Sequence, residues 1–240
     1  MAQYDILAKF YDEVIGINGV AENFIVKSIE KYNKKAQTLL DLGCGTGSNL
    51  EYLNKHYNVT GIDASSEMIN IARSRLPEVN FIKGDITSFN LPDKYDVIVC
   101  LYDTINHITD FTGWKSLFKA VNKHLNPSGL FIFDMNTLAK LEYMEGYGSY
   151  VHRFGDNYLI MDVIKSGKNK YDWDAKIFEN TSDNKFLLHR EIITESSVAE
   201  EKVENELQNY FEIVDTVEDM GYKGSKSPHR IYYVCKKLDN

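Results

Sequence analysis

The pattern of apolar runs predicts an α/β fold: a doubly wound, Rossmann-like, mostly parallel sheet of seven strands, with a small antiparallel β insertion after the fifth strand. Three observations carry this. Five short apolar runs between residues 38 and 135 are separated by helix-length stretches, the pattern of a parallel sheet covered on both faces. The first run ends in a glycine-rich turn, Asp41-Leu42-Gly43-Cys44-Gly45-Thr46-Gly47. Beyond Asn136 the runs become longer strands joined by polar turns, and two strand-like runs follow them.

Taken in order, Tyr4 to Ile15 and Val20 to Tyr32 read as helices, the second with Phe24, Ile25, Ile29 and Tyr32 on one face. Thr38–Leu42 is the first strand, and Ser48 to His56 the helix after the glycines. Asn58–Asp63 is the second strand; Ser65 caps a helix whose Met68, Ile69, Ala72 and Leu76 line one face. Val79–Gly84 and Tyr95–Tyr102 are the third and fourth strands. Trp114, Leu117, Phe118, Val121 and Leu125 mark a further helix, Asn126-Pro127-Ser128-Gly129 a turn, and Leu130–Met135 the fifth strand. Right-handed crossovers leave the doubly wound sheet as the leading topology. Next, Gly146–Ser149 reads as a loop. Tyr158–Lys165, Lys170–Glu179 and Lys185–Glu195 read as a meander, turning at Ser166–Asn169 and Asn180–Asn184. Glu200–Asn209 is a polar helix, and Phe211–Val217 and Arg230–Lys236 return to the sheet. This divides the chain into a core of residues 1–137 and 207–240 and an insertion, 138–206, serving as a lid or an oligomerisation sheet.

Composition narrows the function. The chain has 240 residues, 43% hydrophobic and 26% charged, ordinary for a globular protein. Lys and Arg total 27 and Asp and Glu 35, a net charge of −8, which disfavours nucleic acid or an anionic membrane as partner. No run approaches the roughly 20 apolar residues of a membrane span. Three dispersed cysteines and an N-terminus without a signal-peptide pattern point to a cytoplasmic protein. His56, His152, His189 and His229 show no metal-like clustering, and His124, at a helix end, reads as structural. No bound metal is expected.

The chemistry concentrates at successive strand ends. In the glycine turn the backbone can bend tightly and approach a ligand, and the helix after it favours a negative group. Its spacing is G-x-G-x-G, not the dinucleotide G-x-G-x-x-G. Asp63 ends the second strand, where an acid can accept both hydroxyls of a ribose. Gly84-Asp85-Ile86 ends the third, where a side chain and a free N–H can meet an adenine edge. After the fourth strand come Tyr102-Asp103-Thr104-Ile105-Asn106-His107; His107 either accepts a proton near neutral pH or only caps a helix and orients Asp103. Asp134 and Asn136 end the fifth strand and can bond a substrate. Tyr143, Tyr147 and Tyr150, flanked by Gly146 and Gly148, form either a closing lid or a plain surface loop. Arg230 can reach a substrate carboxylate or phosphate. Tyr4 and Tyr11 read either as core residues or as site aromatics.

In this order and spacing, Asp41–Gly47, Asp63 and Asp85-Ile86 resemble the first motif, the ribose acid and the adenine contact of the class I S-adenosylmethionine-dependent methyltransferases. Leu101-Tyr102 falls at their fourth-strand end, and Tyr4-Asp5-x-x-Ala8-x-x-Tyr11-Asp12 is similar to their opening helix. The resemblance covers residues 4–137. It implies S-adenosylmethionine as cofactor, with Tyr11, Asp41, Gly43, Cys44, Gly45, Gly47, Asp63, Ala64, Met68, Asp85, Ile86, Leu101 and Tyr102 around it. An aromatic face near a sulfonium gains cation–π attraction. Some relatives bind the cofactor carboxylate with an Arg; no Arg precedes Arg73 here, so Asn18 or backbone N–H groups would replace it. The loop Tyr102–His107 is similar to that of glycine N-methyltransferase, except at Asp103. The remainder resembles small bacterial methyltransferases that include sugar amine N,N-dimethyltransferases, with an antiparallel sheet inserted over the active site.

The expectation is in-line methyl transfer to a nitrogen or oxygen of a small molecule. His107 and Asp103 would be catalytic, and Asn106, Asp134, Asn136, Tyr147 and Arg230 would bind substrate, in a monomer or homodimer. Two alternatives stand: a non-catalytic S-adenosylmethionine-binding domain, and a nicotinamide-dependent oxidoreductase, which the glycine spacing disfavours.

Overall fold

The structure is a computed structural model and describes residues 3–15, 20–182 and 185–238; Asn18, and Asp183-Asn184 of the expected turn, lie outside them. Strands β1 (Thr38–Leu42), β2 (Asn58–Asp63), β3 (Asn80–Lys83), β4 (Tyr95–Cys100) and β5 (Leu125–Asn136) are parallel. With β10 (Phe211–Asp219) and β11 (Arg230–Lys237) they form one seven-stranded sheet in the order β10-β11-β5-β4-β1-β2-β3. Only β11 runs antiparallel to its neighbours, β5 and β10. The order reverses at β1, so the crevice beyond the strand ends opens beside the glycine turn.

Side chains alternate across this sheet. Leu40, Leu42, Ile98, Phe131 and Phe133 pack on one face with Trp114, Leu117 and Phe118 of α5 (Phe111–His124) and Val203 and Leu207 of α7 (Glu200–Leu207). Leu39, Val97, Val99 and Ile132 pack on the other with Ile25 and Ile29 of α2 (Val20–Tyr32), Leu50 of α3 (Ser48–Leu53) and Ile69 and Ala72 of α4 (Ser66–Arg75). Because neighbours in a strand point to opposite faces, a stretch covered on both sides must be apolar throughout, as residues 97–100 of β4 and 130–133 of β5 are. Fully buried aromatic rings dominate the first face, and losing one such as Trp114 would cost about 3–5 kcal/mol.

A second sheet has the order β6-β7-β8-β9, all antiparallel: β6 (Tyr150–Phe154), β7 (Asn157–Gly167), β8 (Lys170–Ser182) and β9 (Lys185–Ser196). Four elements differ from the sequence reading. Strand β6 was not expected, although Gly155-Asp156 closes a two-residue hairpin with Phe154 opposite Asn157. The stretch Leu138–Tyr147 is a helix, α6, capped by the Thr137 hydroxyl on the Lys140 N–H; Gly146 lies in that helix, not in a loop. Asn126–Gly129 is an irregularity inside β5, where pairing jumps from Tyr95–Leu125 to Val97–Leu130. The first helix is broken into a 3-10 turn (Leu7–Phe10) and a short α1 (Tyr11–Ile15). The core also takes in α7, which the boundary at 206/207 had left with the insertion. Among the described residues, no helix is long and apolar enough to cross a membrane.

Candidate active site

The glycine turn places its three glycines for three different reasons. Gly43 (φ +76°) is overlain by Thr104, whose Cγ2 would lie 2.3 Å from a Cβ there, so only glycine fits. Gly45 (φ +54°) has nothing within 4 Å of that position and opens onto a cleft. Gly47 packs against Ala72 and Phe81, 3.2 Å from a built Cβ. Its φ of +75° and this close packing both call for glycine, and it lines neither cavity described below. The turn is tied to β2 through Asp63: one carboxylate oxygen accepts from Gly45 N (2.9 Å), the other from Ser65 N (2.8 Å). Burial raises the Asp63 pKa, and those two N–H groups oppose the shift. Beneath the turn, Asp41 is buried with Oδ2 unpartnered. Burial, with the Asp63 and Glu22 charges nearby, pushes its pKa up to about 7.

Past β4 the chain holds two consecutive non-glycine residues in the left-handed region, Tyr102 (φ 56°) and Asp103 (φ 53°). Such residues persist where the surroundings hold them, and they concentrate at functional sites. Here the Asp103 N–H donates to Asp134 Oδ1 (2.7 Å). Arg230 then bridges Asp134 Oδ2 (2.7 Å) and Asp103 Oδ1. Burial works against the guanidinium charge, but the two carboxylates outweigh it and its pKa is raised. Glu195, at the end of β9, reaches the same cluster: it accepts from Asn136 Nδ2 (3.0 Å) and is hydrogen-bonded to Asp103. Burial and the nearby Asp103 charge push the Glu195 carboxyl well up.

The N-terminal segment is pinned to both sheets. Ser65 Oγ donates to Asp5 (2.6 Å), Thr46 Oγ1 donates to Asp12 (2.6 Å), and Arg75 pairs with Asp12. From the other side, Glu191 of β9 accepts from the N–H groups of Ile6 (3.2 Å) and Leu7 (3.0 Å). Leu7 and Phe10 join the apolar cluster of Phe154, Leu159, Ile177 and Ile193. Tyr4 and Tyr11, with ring centroids 5.7 Å apart, are thereby held between the sheets. Both line each of two cavities. The first, about 290 Å³, is walled by Gly43, Gly45, Asp63, Ala64, Met68, Asp85, Ile86, Tyr102, Thr104 and His107. A side chamber of about 30 Å³ adds Cys44, Asn49 and Leu101. The second, about 320 Å³, has an apolar wall of Met144, Leu159, Met161, Trp173, Ile177 and Ile193, and a polar end of Asp103, Asn136, Lys140, Glu195 and Arg230.

The expected cofactor residues therefore surround the first cavity and its side chamber, with Asp41 below and Gly47 apart. The expected substrate residues divide. Arg230 and Asn136 line the second cavity. Asn106 does not: it is fully buried, donates to the Asn136 and Ser196 carbonyls and accepts from Asn136 N, each at 2.9 Å. It clamps β5 to β9. Asp134 is buried behind Arg230 and lines neither cavity. Tyr147 is 59% exposed at the end of α6, away from both. His107 lines the first cavity, with Nε2 at 3.2 Å from the Tyr4 hydroxyl. Burial lowers its pKa against the Asp103 charge. His124 is structural: Nε2 accepts from Leu91 N (3.0 Å).

Glu195, Lys140, Trp173, Thr104 and Gln3 line these cavities and were not anticipated. One signal for Glu195 was available: Glu191, Ile193 and Glu195 share the inward register of β9, where acids are out of place unless partnered. Donor atoms of Asp103, His107 and Glu195 lie within 4.8 Å of one another. The Arg230 cation sits on Asp103 within this group.

Residues 39–129 match a family described as a methyltransferase domain. A dTDP-4-amino-2,3,4,6-tetradeoxy-D-glucose N,N-dimethyltransferase of Saccharopolyspora spinosa is 34% identical over 46% of this chain and 45% of its own. The chain thus spans about half the length of the curated sugar dimethyltransferases it matches. A crystal structure of an S-adenosylmethionine-dependent methyltransferase from Clostridium acetobutylicum superposes with a TM-score of 0.85, at 27% identity, covering 98% of both chains. An amino pentose methyltransferase from Micromonospora echinaspora shares the fold, with a TM-score of 0.78 at 19% identity over 97% of both.

The fold, and the domain matched over residues 39–129, are similar to those of S-adenosylmethionine-dependent methyltransferases, proteins that use S-adenosylmethionine as cofactor. Among them, the chain resembles the sugar N-methyltransferases. The site fits that cofactor: the space over Gly45 is open, Asp63 faces it, and Asp41 Oδ2 and Gln3 Oε1 are buried polar atoms without a partner.

Proposed function

We propose that this chain methylates an amine nitrogen of a small molecule at the expense of S-adenosylmethionine. The observation behind this reading is the pair of cavities meeting at Tyr4 and Tyr11, one edged by the glycine turn and the other covered by the β6–β9 sheet. When bound, the cofactor supplies a sulfonium methyl group open to attack. In the first cavity Asp63 would take the ribose hydroxyls, and Asp85 and Ile86 the adenine. Gly43, Gly45, Cys44, Leu101 and Tyr102, with Asp41 below, would hold the methionine end, and Ala64, Met68 and Tyr11 would complete the wall. Tyr4 and Tyr11 offer π faces and hydroxyls where a cationic centre and an acceptor would meet. The second cavity would orient the acceptor and exclude water; such orientation is worth about 7–11 kcal/mol of barrier.

The named relatives act on amino sugars, which favours nitrogen over oxygen and a metabolite over a macromolecule. The net charge of −8 supports an acceptor other than nucleic acid, and we read the protein as a cytoplasmic monomer or homodimer. In this reading the insertion, residues 138–206, is the acceptor's cover. His107 acts through Tyr4: it lines the first cavity, and Tyr4 is the neighbour that reaches the second.

Asp63→Ala tests the cofactor assignment. It should weaken S-adenosylmethionine binding by about 1.5–3 kcal/mol, tenfold or more, in calorimetry on a protein whose circular dichroism is unchanged. A 2′-deoxy analogue should bind parent and variant alike. Parental affinity for S-adenosylmethionine in the variant would remove Asp63 from the site.

A further inference from the structure

The Asp103–Glu195 carboxyl pair stands at the polar end of the second cavity, and nothing in the glycine-turn site accounts for it. The two acids come from different sheets, Asp103 from the loop after β4 and Glu195 from the end of β9. They are hydrogen-bonded to each other and both face the cavity. The groups around Glu195 are Asp103, Asn136, Arg230, Lys140, Tyr4 and His107. Two cations, Arg230 and Lys140, stand with three carboxyls, Asp103, Asp134 and Glu195, and Arg230 pairs directly with Asp103 and Asp134. One shared proton therefore brings the cluster close to neutral. A second observation points to a ligand. Asn136 is 2% exposed and lines the same cavity; its amide nitrogen is spent on Glu195, and its Oδ1 has no partner. A buried acceptor without a donor costs about 1–3 kcal/mol, and an N–H from a ligand would relieve it.

We propose that the Asp103–Glu195 pair is the amine-recognition site of this protein, binding the acceptor's amino group with release of one proton to solvent, and that Asn136 Oδ1 accepts a second N–H of the same group. This deepens the methyl-transfer reading and rests on it for the identity of the acceptor.

The proton balance is simple. Before binding, the two carboxyls hold one proton between them, and the ligand arrives as R–NH3+. As the amine enters, the pair's proton goes to solvent. One N–H bond of the ammonium then breaks, its proton passes to the Asp103–Glu195 pair, and its electron pair stays on nitrogen. The pair again holds one proton, and the amine is left neutral with a free lone pair, as a nucleophile requires. The apolar wall of Leu159, Met161, Trp173 and Ile193 would contact the carbon body of the ligand, and an alcohol of the same shape would lack the proton to exchange. Burial favours this exchange, because an uncompensated ammonium in such a cavity is costly.

The test uses the full chain saturated with S-adenosylhomocysteine, with cyclohexylamine and cyclohexanol as probes. Calorimetry at neutral pH in two buffers of different ionisation enthalpy reads both affinity and protons released. Cyclohexylamine should bind about tenfold or more tighter than cyclohexanol and release about one proton; cyclohexanol should release none. Glu195→Gln keeps the shape and a neutral group. It should bring the two probes to within about twofold of each other and abolish proton release, leaving S-adenosylhomocysteine affinity as in the parent. Equal affinity for the two probes in the parent, no binding of the amine, or amine binding without proton release overturns the proposal whether or not the variant folds. So does a folded variant that keeps the amine preference. Failure of S-adenosylhomocysteine to bind would instead overturn the methyl-transfer reading.

Discussion

The two cavities that share Tyr4 and Tyr11 are built by different means. Apart from Gln3, Tyr4 and Tyr11, the first is made from one continuous part of the chain, the strand ends and turns between residues 43 and 108. The second collects side chains from the N-terminal segment, the loop after β4, the end of β5, α6, all four strands of the second sheet and β11. Its polar end exists only because charges from these distant pieces satisfy one another. A site made from backbone turns leaves a compact mark in the sequence, since glycine and a strand-end acid are needed at set spacings. A site made from assembled side chains leaves residues that look ordinary one by one.

That contrast can be broken most forcefully at Arg230. Arg230→Met removes the cation that Asp103 and Asp134 share. Leaving a buried charge without its partner costs about 3–5 kcal/mol, to be read as a lower urea midpoint. The folded fraction should bind S-adenosylmethionine close to parental affinity. An equal collapse of cofactor binding would mean that the two cavities are one energetic unit.

The corresponding experiment on the first cavity is Asp41→Asn. In the native, ligand-free protein the Asp41 pKa lies at about 7, against 3.8 for the free side chain. Between these values the folded state binds more protons than the unfolded state, so this group's contribution to stability falls as pH rises. The destabilisation is absent below the lower value and complete above the higher. Asparagine removes it. The variant should therefore gain on the order of 2–4 kcal/mol over the parent above neutral pH, shrinking to nothing near the lower pKa, in a pH series of unfolding curves. A gain independent of pH would show that the carboxylate charge is not its cause.

The smallest effect is expected at Tyr147, read in the sequence either as part of a closing lid or as plain surface loop, and found at the exposed end of α6. Tyr147→Ala should stay within about 0.5 kcal/mol of the parent in stability and leave methyl transfer to any accepted amine unchanged. A large loss of turnover would show that α6 moves onto the acceptor, and would enlarge the second site.

The second sheet also bears on the first cavity more than the sequence suggests. Glu191 holds the N–H groups of Ile6 and Leu7, and these residues carry Tyr4 into the wall of the first cavity. The meander is thus coupled to that cavity through the N-terminal segment without lining it.

The amino-acid sequence alone determined the parallel sheet, its two covered faces and the crevice at the glycine turn. Each follows from local rules: apolar runs of strand length, glycine where φ is positive, acids at strand ends, and the fixed hand of crossovers. Ser65 as a helix cap, and Asp63, Asp85 and Ile86 on one cavity wall, were legible for the same reason. Only the tertiary structure decided which polar residues reach ligand space. Asn106 and Asp134 carry the right chemistry at the right strand ends, yet their hydrogen bonds are consumed inside the protein, as clamp and as counter-ion. Glu195 sits in a strand with no motif and reaches the cavity because β9 ends beside the loop after β4. Partner choice among side chains far apart in sequence is settled by packing and by the need to satisfy buried charge, and no spacing along the chain encodes it.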